Sequence, residues 1–377
     1  MKVAIVHYWF ITRRGGEKVV ESLLKLYPQA DIYTLFYDPK QYGDYISKQN
    51  VYTSKLNIPI LIKYYQKIFP LYPLGIRSLE LKEDYDLIIS SESGPAKGIR
   101  IKNNAPHICY VHSPMRYAWS HSDMYIESAP RLLRPLMRLF LKRLKNWDKT
   151  TINNVDMYIS NSSNVTKRIE KYYGKSSTVI YPPIEESLFS KKLKGSTKEF
   201  YLSFGALTPY KKIDLLVDAF NKNGKPLVII GEGSEKEKLI KKANENIQFK
   251  SCKEWEEVEY YLLKSRALLF PGEEDFGMIP LEVMAYGIPV LAYAKGGALE
   301  TVIENRERIE NSSGLFFKEQ TFESLEETLK YFENVERKFD SDWIVNHAKG
   351  FKESNFIKKF ESLVTSYLNQ KKHVKSK

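Results

Sequence analysis

The sequence predicts an α/β protein built from two doubly wound parallel-sheet domains, and three observations lead there. At 377 residues the chain is long for one domain and comfortable for two. Short β-branched or apolar runs alternate with longer helical stretches, which is the pattern of βαβ units. Midway, the series is interrupted between Ile184 and Phe200 by a charged stretch poor in apolar residues, with Glu185, Glu186, Lys191, Lys192, Lys194 and Lys198.

Taken in order, the strand-like runs are Val3–Val6, Leu87–Ile89, His107–Val111, Met157–Ile159 and Thr178–Tyr181. After the interruption come Tyr201–Phe204, Leu227–Ile230, Ala267–Phe270 and Pro289–Ala292. These runs predict a first domain over 1–185, a linker over 186–198 and a second domain over 199–345. Apolar residues at helical spacing between Trp343 and Leu368 (Phe356, Ile357, Phe360, Leu363, Val364) predict a helix within 346–377, with the tail KKHVKSK frayed. Doubly wound sheets bind ligands at the carboxyl ends of their strands, so two facing sheets are expected to hold a ligand in the cleft between them.

Composition excludes several classes. With 43% hydrophobic and 28% charged residues, the chain is neither disordered nor collagenous nor a polytopic membrane protein. Its two cysteines, Cys109 and Cys252, lie far apart, which argues against a disulfide scaffold or a multi-cysteine zinc site and favours a reducing cytoplasm. MKVAIVHYWF reads as a buried strand rather than a signal peptide, and no run approaches the ~20 apolar residues of a membrane span. The net charge of +12 is uneven: residues 1–190 hold 27 Lys+Arg against 17 Asp+Glu, and the rest 31 against 29. A basic first half suits nucleic acid, an anionic membrane or a phosphorylated substrate, and charge alone does not choose among them.

Four segments carry chemistry. In FPGEEDFGMIPLEVMAYGIPV, Glu274 and Glu282 stand eight residues apart around Gly277 and Pro280, so Glu274 is placed on a strand-to-helix loop and Glu282 in the first helical turns. Backbone N–H groups near Gly277 would face a phosphate or a sugar hydroxyl. For an isolated pair of this kind the default reading is a dipole-complementing glutamate and a solvated one. Upstream, YLSFGALTPYKKIDLLVDAF sets Lys211 and Lys212 between a strand and an amphipathic helix, and RRGGEKVVESLL sets Gly15 and Gly16 between the first strand and a helix. KGGALETVI adds a second glycine pair, Gly296 and Gly297.

Together these segments resemble the donor site of the large family of retaining nucleotide-sugar glycosyltransferases of family 4 type, which have the GT-B fold. The resemblance implies two Rossmann-like domains facing across a cleft, with the C-terminal helix crossing back to the first. It implies that Glu274 contacts hydroxyls of the transferred sugar and that Glu282 holds the nucleotide ribose. Carboxylates suit both tasks, since each can accept two hydrogen bonds without a metal. It further implies that Lys211 neutralises the departing diphosphate, and that Gly15, Gly16, Lys212, Phe276, Gly277, Met278, Ile279, Gly296 and Gly297 contribute to donor binding. The sequence departs from the family at Ala206, where arginine is usual; Lys212 is a possible substitute, though a point charge does not copy a guanidinium fork.

CYVHSPMRYAW, with His112 and Arg116 after a buried strand, and the run YISNSSNVTKRIEKYYGKSSTVIYPPIEESLF resemble a narrower group, bacterial mannosyltransferase-like enzymes of surface polysaccharide (lipopolysaccharide O-antigen or capsule) assembly. That resemblance implies a catalytic role for His112, a mannosyl donor, GDP-mannose, and a lipid-linked glycan acceptor, with no metal or other cofactor. RLLRPLMRLFLKRLKNWDK interleaves Arg138, Lys142 and Arg143 with leucines, which suits equally an anionic membrane surface at the inner face of the cytoplasmic membrane and a helix packed on the sheet with its cations in water. Arg116 is either an acceptor-side anion ligand or a surface ion-pair member. Three alternatives are kept: a UDP-sugar donor, a non-catalytic membrane or polyanion binder, and a nucleotide-binding oxidoreductase. GEGSEK lacks the third glycine that the last would need, and nothing resembles a nucleic-acid module.

Overall fold

A computed structural model describes residues 1–13, 15–190, 198–252 and 254–375, except the side chains of Ser128, Lys372, Val374 and Lys375. The chain divides into two compact units, Met1–Pro183 with Phe356–Lys377, and Ile184–Asn355. The first contains strands β1 (Val3–Phe10), β2 (Asp31–Tyr37), β3 (Val51–Thr53), β4 (Leu87–Glu92), β5 (His107–Val111), β6 (Met157–Ser160) and β7 (Thr178–Val179). They form one parallel sheet in the order β3-β2-β1-β4-β5-β6-β7. The second contains β8 (Phe200–Phe204), β9 (Leu227–Ile230), β10 (Ile247–Lys250), β11 (Ser265–Phe270), β12 (Val290–Tyr293) and β13 (Gly314–Phe317). Their order is β10-β9-β8-β11-β12-β13, again all parallel. The α/β class with two doubly wound sheets is therefore observed.

Four strands, β2, β3, β10 and β13, are absent from the sequence-based series. Three of them close the sheet edges, where one side lacks a neighbour and short or polar sequences suffice (VYT, IQFK, GLFF). In β2, Asp31, Tyr33 and Thr34 obscure the apolar run, although Tyr33 and Thr34 are fully buried. The expected run Thr178–Tyr181 contracts to two residues, and Pro289, which has no N–H for the ladder, stays outside β12. Of the expected linker, Glu186–Ser190 forms a short 3-10 turn, and residues 191–197 lie outside the described residues. The C-terminal stretch is two helices, Ser341–Lys349 and Glu353–Lys375. The tail expected to fray is thus helical as far as Lys375.

Each face of the first sheet is covered. On one, Val3, Ile5, Leu87 and Ile89 pack against Val19, Val20 and Leu23 of the helix Gly15–Leu26 and against Phe356, Phe360 and Val364. On the other, Ala4, Val6 and Ile88 meet Tyr72, Ile76, Leu141 and Leu144. In the second unit Tyr201, Leu227, Ile229, Leu269, Leu291 and Phe332 belong to one core.

The second face of the first sheet also buries charge. Lys97 is wholly enclosed and forms ion pairs with Asp148 and with Glu92 Oε1 at 3.3 Å. Asp148 Oδ2 also accepts from Trp119 Nε1 at 2.8 Å. Burial pushes the Glu92 carboxyl up to about 7 while Lys97 pulls it down. Burial would lower the Lys97 ammonium, but Asp148 and Glu92 raise it above the ordinary lysine value. The trio ties the loop after β4 to the helix Arg134–Thr150. Lys97→Met should therefore cost about 3–5 kcal/mol, the scale of breaking a buried pair by removing one partner. Without Lys97 the folded-state affinity of Glu92 for its proton rises further above that of the unfolded chain. The deficit relative to wild type, measured by urea unfolding, should then widen as pH rises above about 7, where the wild-type Glu92 has ionised and that of the variant has not.

Candidate active site

In the second unit, strand order reverses between β8 and β11, so the loops leaving β8, β11 and β12 emerge side by side. Lys211 ends a 3-10 turn after β8, Glu274 lies on the loop after β11, and Gly296 and Gly297 follow β12. Lys211 Nζ forms an ion pair with Glu274 Oε1, the two side chains being only 13% and 16% exposed. The glycine pair holds the Glu274 loop from below. Gly297 N–H donates to Glu274 O at 2.8 Å, and Glu274 bridges to Gly296 in parallel register. A Cβ at Gly297 would lie 2.2 Å from Phe276 Cα, and one at Gly296, whose φ is 65°, would lie 2.3 Å from Glu274 O. Only glycines allow the two backbones to approach this closely.

The helix Met278–Met284 starts at Gly277, whose φ of 84° turns the chain into it. Phe276 is 2% exposed, its ring 6.1 Å from that of Phe351, so any donor contact from this residue comes through its backbone. Met278 and Ile279 are half-buried, and Ile279 packs beside Gly205, where a Cβ would meet its Cδ1 at 3.0 Å. Glu282 is buried at 7% exposure. Lys212 is exposed and adopts φ 55°, the only positive φ of a non-glycine among the described residues, where it heads the helix Ile213–Asn223. Ala206 lines one small pocket with Gly205, Lys211 and Gly272. The carboxylate is therefore met by Lys211, while Lys212 stands in solvent.

In the first unit the strand order reverses between β1 and β4. Gly15 and Gly16 follow β1 and form the first residues of their helix rather than preceding it. A Cβ on Gly16 would lie 2.8 Å from Tyr8 Oη and 3.5 Å from His112 Nε2, so the glycine loop and His112 are brought together. Behind them runs a chain of polar groups. His112 Nε2 and Ser91 Oγ are 2.8 Å apart, Ser91 Oγ and His7 Nδ1 3.0 Å, and His7 Nε2 lies 3.7 Å from Glu17 Oε1. His7, Ser91 and Glu17 are all 0% exposed. Sequence reasoning missed these three, although a histidine inside the apolar run of β1 and the polar SSES at the end of β4 are visible signals. Arg116 is half-buried in the loop after β5, and Arg138, Lys142 and Arg143 are exposed on the helix Arg134–Thr150.

Three substitutions test this geometry. Gly297→Ala should displace the Glu274 loop and destabilise the second unit by several kcal/mol, since the added methyl meets backbone rather than a flexible side chain. Lys212→Gly, by contrast, should leave thermal stability unchanged or raise it, because glycine relieves a left-handed residue at about 1 kcal/mol. Lys212→Val should lower it. Thermal unfolding of the three variants checks these signs.

Comparison with known proteins agrees with the geometry. A family model described as glycosyltransferase family 4 matches residues 13–188, and one described as glycosyl transferases group 1 matches 184–350. An uncharacterized glycosyltransferase of Methanocaldococcus jannaschii is 26% identical over 81% of this chain and 82% of its own. The alpha-1,3/1,6-mannosyltransferase ALG2 of Dictyostelium discoideum is 24% identical over 59% of this chain and 63% of its own, and that of Kluyveromyces lactis 26% over 60% and 54%. The chain thus spans less than two thirds of those two mannosyltransferases. Among solved structures, HepE of Anabaena in complex with UDP superposes with a TM-score of 0.71 at 15% identity, covering 97% of this chain and 100% of that one. Sucrose-phosphate synthase of Thermosynechococcus elongatus gives 0.72 at 16%, covering 98% and 100%. With two parallel sheets of the observed order and family matches that between them run from residue 13 to residue 350, the chain is a glycosyltransferase with the GT-B fold, of the group 1 and family 4 type.

Proposed function

We propose that the protein transfers a hexose, mannose from GDP-mannose, to a lipid-linked glycan with retention at the anomeric carbon. The observation that carries the reading is the Lys211–Glu274 pair, an ammonium and a carboxylate held together at the switch point of the second sheet. A nucleotide sugar brings partners for both. Its diphosphate oxygens take the ammonium, and its sugar hydroxyls donate to the carboxylate, so each group exchanges one charge-assisted contact for another. As the glycosidic bond to the diphosphate breaks, negative charge grows on the leaving oxygens, and Lys211 is worth more there than in the ground state. The acceptor hydroxyl attacks from the face the diphosphate leaves, and a phosphate oxygen takes its proton. No side chain is required as nucleophile. The names of the ALG2 relatives support mannose as the sugar, and the resemblance of the CYVHSPMRYAW segment to enzymes of surface polysaccharide assembly supports a lipid-linked acceptor.

The first unit adds a surface suited to such an acceptor. Leu132 is 95% exposed, Leu133 52%, Leu136 48% and Leu139 44%, and Arg131, Arg138, Lys142 and Arg143 are exposed beside them. Among the described residues no helix is long and apolar enough to cross a membrane. A leucine stripe among cations suits the interface of an anionic bilayer, where apolar insertion and charge attraction act together.

The reading is tested by turnover across a panel of nucleotide sugars, with GDP-mannose expected to be the substrate and UDP-sugars the alternative outcome. Glu274→Gln should abolish most turnover while keeping nucleotide affinity, and Glu282→Ala should weaken nucleotide affinity itself. Lys211→Ala should lower turnover by about 10²-fold or more, on the scale of removing one preorganised transition-state donor. Near-normal turnover of Lys211→Ala at saturating donor would remove the diphosphate role.

Vesicles test the surface. Binding to anionic lipid should fall as salt shortens the screening length below about 8 Å, and should fall further when Arg138, Lys142 and Arg143 are neutralised together. Hydrolysis of free donor should be unaffected by that triple change. Binding indifferent to both would remove the membrane role.

A further inference from the structure

A second apolar surface lies beside the leucine stripe. Fifteen large apolar side chains are exposed among the described residues, and nine of them fall within 58–74 and 132–139. The first of these segments supplies Ile58, Ile60, Tyr64, Leu71 and Leu74, with Ile60 66% and Leu74 61% exposed. Its local structure explains why. Pro59, Pro70 and Pro73 each stand in the first turn of a short element, the helix Pro59–Lys63, the 3-10 turn Phe69–Leu71 and the helix Tyr72–Arg77. Pieces this short give one side to the core and the other to solvent, so Tyr72 and Ile76 are buried while Leu74 between them is exposed.

The inner side is fixed. Phe69, Tyr72 and Ile76 share one core with Leu141 and Leu144 of the helix Arg134–Thr150, and the turn Phe69–Leu71 rests on that helix. The segment also adjoins the glycine loop and His112. The Trp9 ring, at the end of β1, is 5.0 Å from that of Tyr65, and the Tyr117 ring, in the loop after β5, is 5.1 Å from that of Phe69. These are the strand ends that bring Gly16 and His112 together.

Charge identifies the occupant. Asp and Glu make up 46 of the 377 residues, yet none occurs between Tyr45 and Leu79 or between Ser128 and Trp147, stretches that hold eleven lysines and arginines. Such a cationic face repels a second copy of itself, and its aliphatic Ile and Leu offer no flat ring to a nucleic-acid base. An anionic bilayer suits both features, with acyl chains for the aliphatic residues and headgroups for the cations. Tyr64 has the pattern of that interface. Lys63 Nζ and Lys67 Nζ lie 5.8 and 5.9 Å from its ring centre, so an amphipathic ring stands among long cationic side chains that reach to headgroups.

We propose that Ile58–Leu74 is a second bilayer-inserting element, which with the leucine stripe of the neighbouring helix sets the carboxyl end of the first sheet at an anionic membrane surface. The acceptor is then a membrane-embedded lipid whose glycan stands at headgroup level, beside the loops of Gly16 and His112. This rests on the glycosyl-transfer reading for the acceptor, but not for insertion.

Full-length protein with vesicles of phosphatidylglycerol in phosphatidylcholine tests the element. Ile60→Ser combined with Leu74→Ser should weaken binding by about 10-fold or more, the scale of losing the burial of aliphatic side chains. Thermal unfolding and hydrolysis of free donor should stay as in wild type, because both positions are exposed. Ile60→Trp should be quenched by brominated phosphatidylglycerol more strongly than wild type is. Undiminished binding of the double variant would overturn the proposal, as would an Ile60→Trp fluorescence that brominated lipid leaves at the wild-type level, whatever Arg138, Lys142 and Arg143 contribute. A lipid-free dimer that the double variant dissociates would overturn it too, by making the face a contact between copies. Vesicle binding that meets these expectations in a protein turning over no nucleotide sugar would support insertion and count against the proposed reaction alone.

Discussion

Both candidate sites depend on one constraint of parallel sheets, the point at which strand order reverses. Elsewhere in such a sheet, successive crossovers cover the carboxyl ends of neighbouring strands from the same side. At the reversal the loops diverge and leave a crevice. In the first unit that point lies between β1 and β4, and Gly16, Ser91 and His112 gather there; in the second it lies between β8 and β11, where Lys211 and Glu274 meet. Within each unit, residues tens of positions apart in sequence become neighbours because adjacent strands end together.

The two units use this position differently. The second sets opposite charges against each other, with the Lys211 ammonium on the Glu274 carboxylate and backbone glycines holding the carboxylate loop. Each charge is thus compensated by the other in the protein. The first sets its polar groups in two buried clusters on opposite faces of the sheet. Glu17, His7 and Ser91 stand behind His112 on one face, and Glu92, Lys97 and Asp148 stand on the other. Neighbouring residues Ser91 and Glu92 point to opposite sides of the pleat, which is how one strand end serves both. The Lys97 trio holds the loop after β4 and the helix Arg134–Thr150, whose opposite edge exposes its leucines.

Much of this was legible in the sequence. Nine strand-like runs are strands, because buried parallel strands must be near-continuously apolar and this marks them locally. The Glu274 segment, Lys211 and the two glycine pairs were visible through their resemblance to the donor site of the glycosyltransferase family, since each alone also fits an ordinary turn or a solvated charge. Edge strands such as β3, β10 and β13 were not, since half-exposed three- and four-residue strands carry too little pattern.

What the sequence by itself determined, then, is the class of the fold and the residues whose chemistry is announced by their immediate neighbours. Only the tertiary structure decided which of them meet. That Lys211 rather than Lys212 reaches Glu274 follows from a turn that leaves Lys212 left-handed and exposed at the head of a helix. That Phe276 packs inward while Gly297 presses on its backbone follows from the register between two loops. The line from Glu17 through His7 and Ser91 to His112 spans three strands and a helix, so it exists only once β1, β4 and β5 lie side by side. Local pattern reports what a residue would bury, but hydrogen bonds between strands depend on which strands are neighbours, and that is fixed by how the whole sheet is wound.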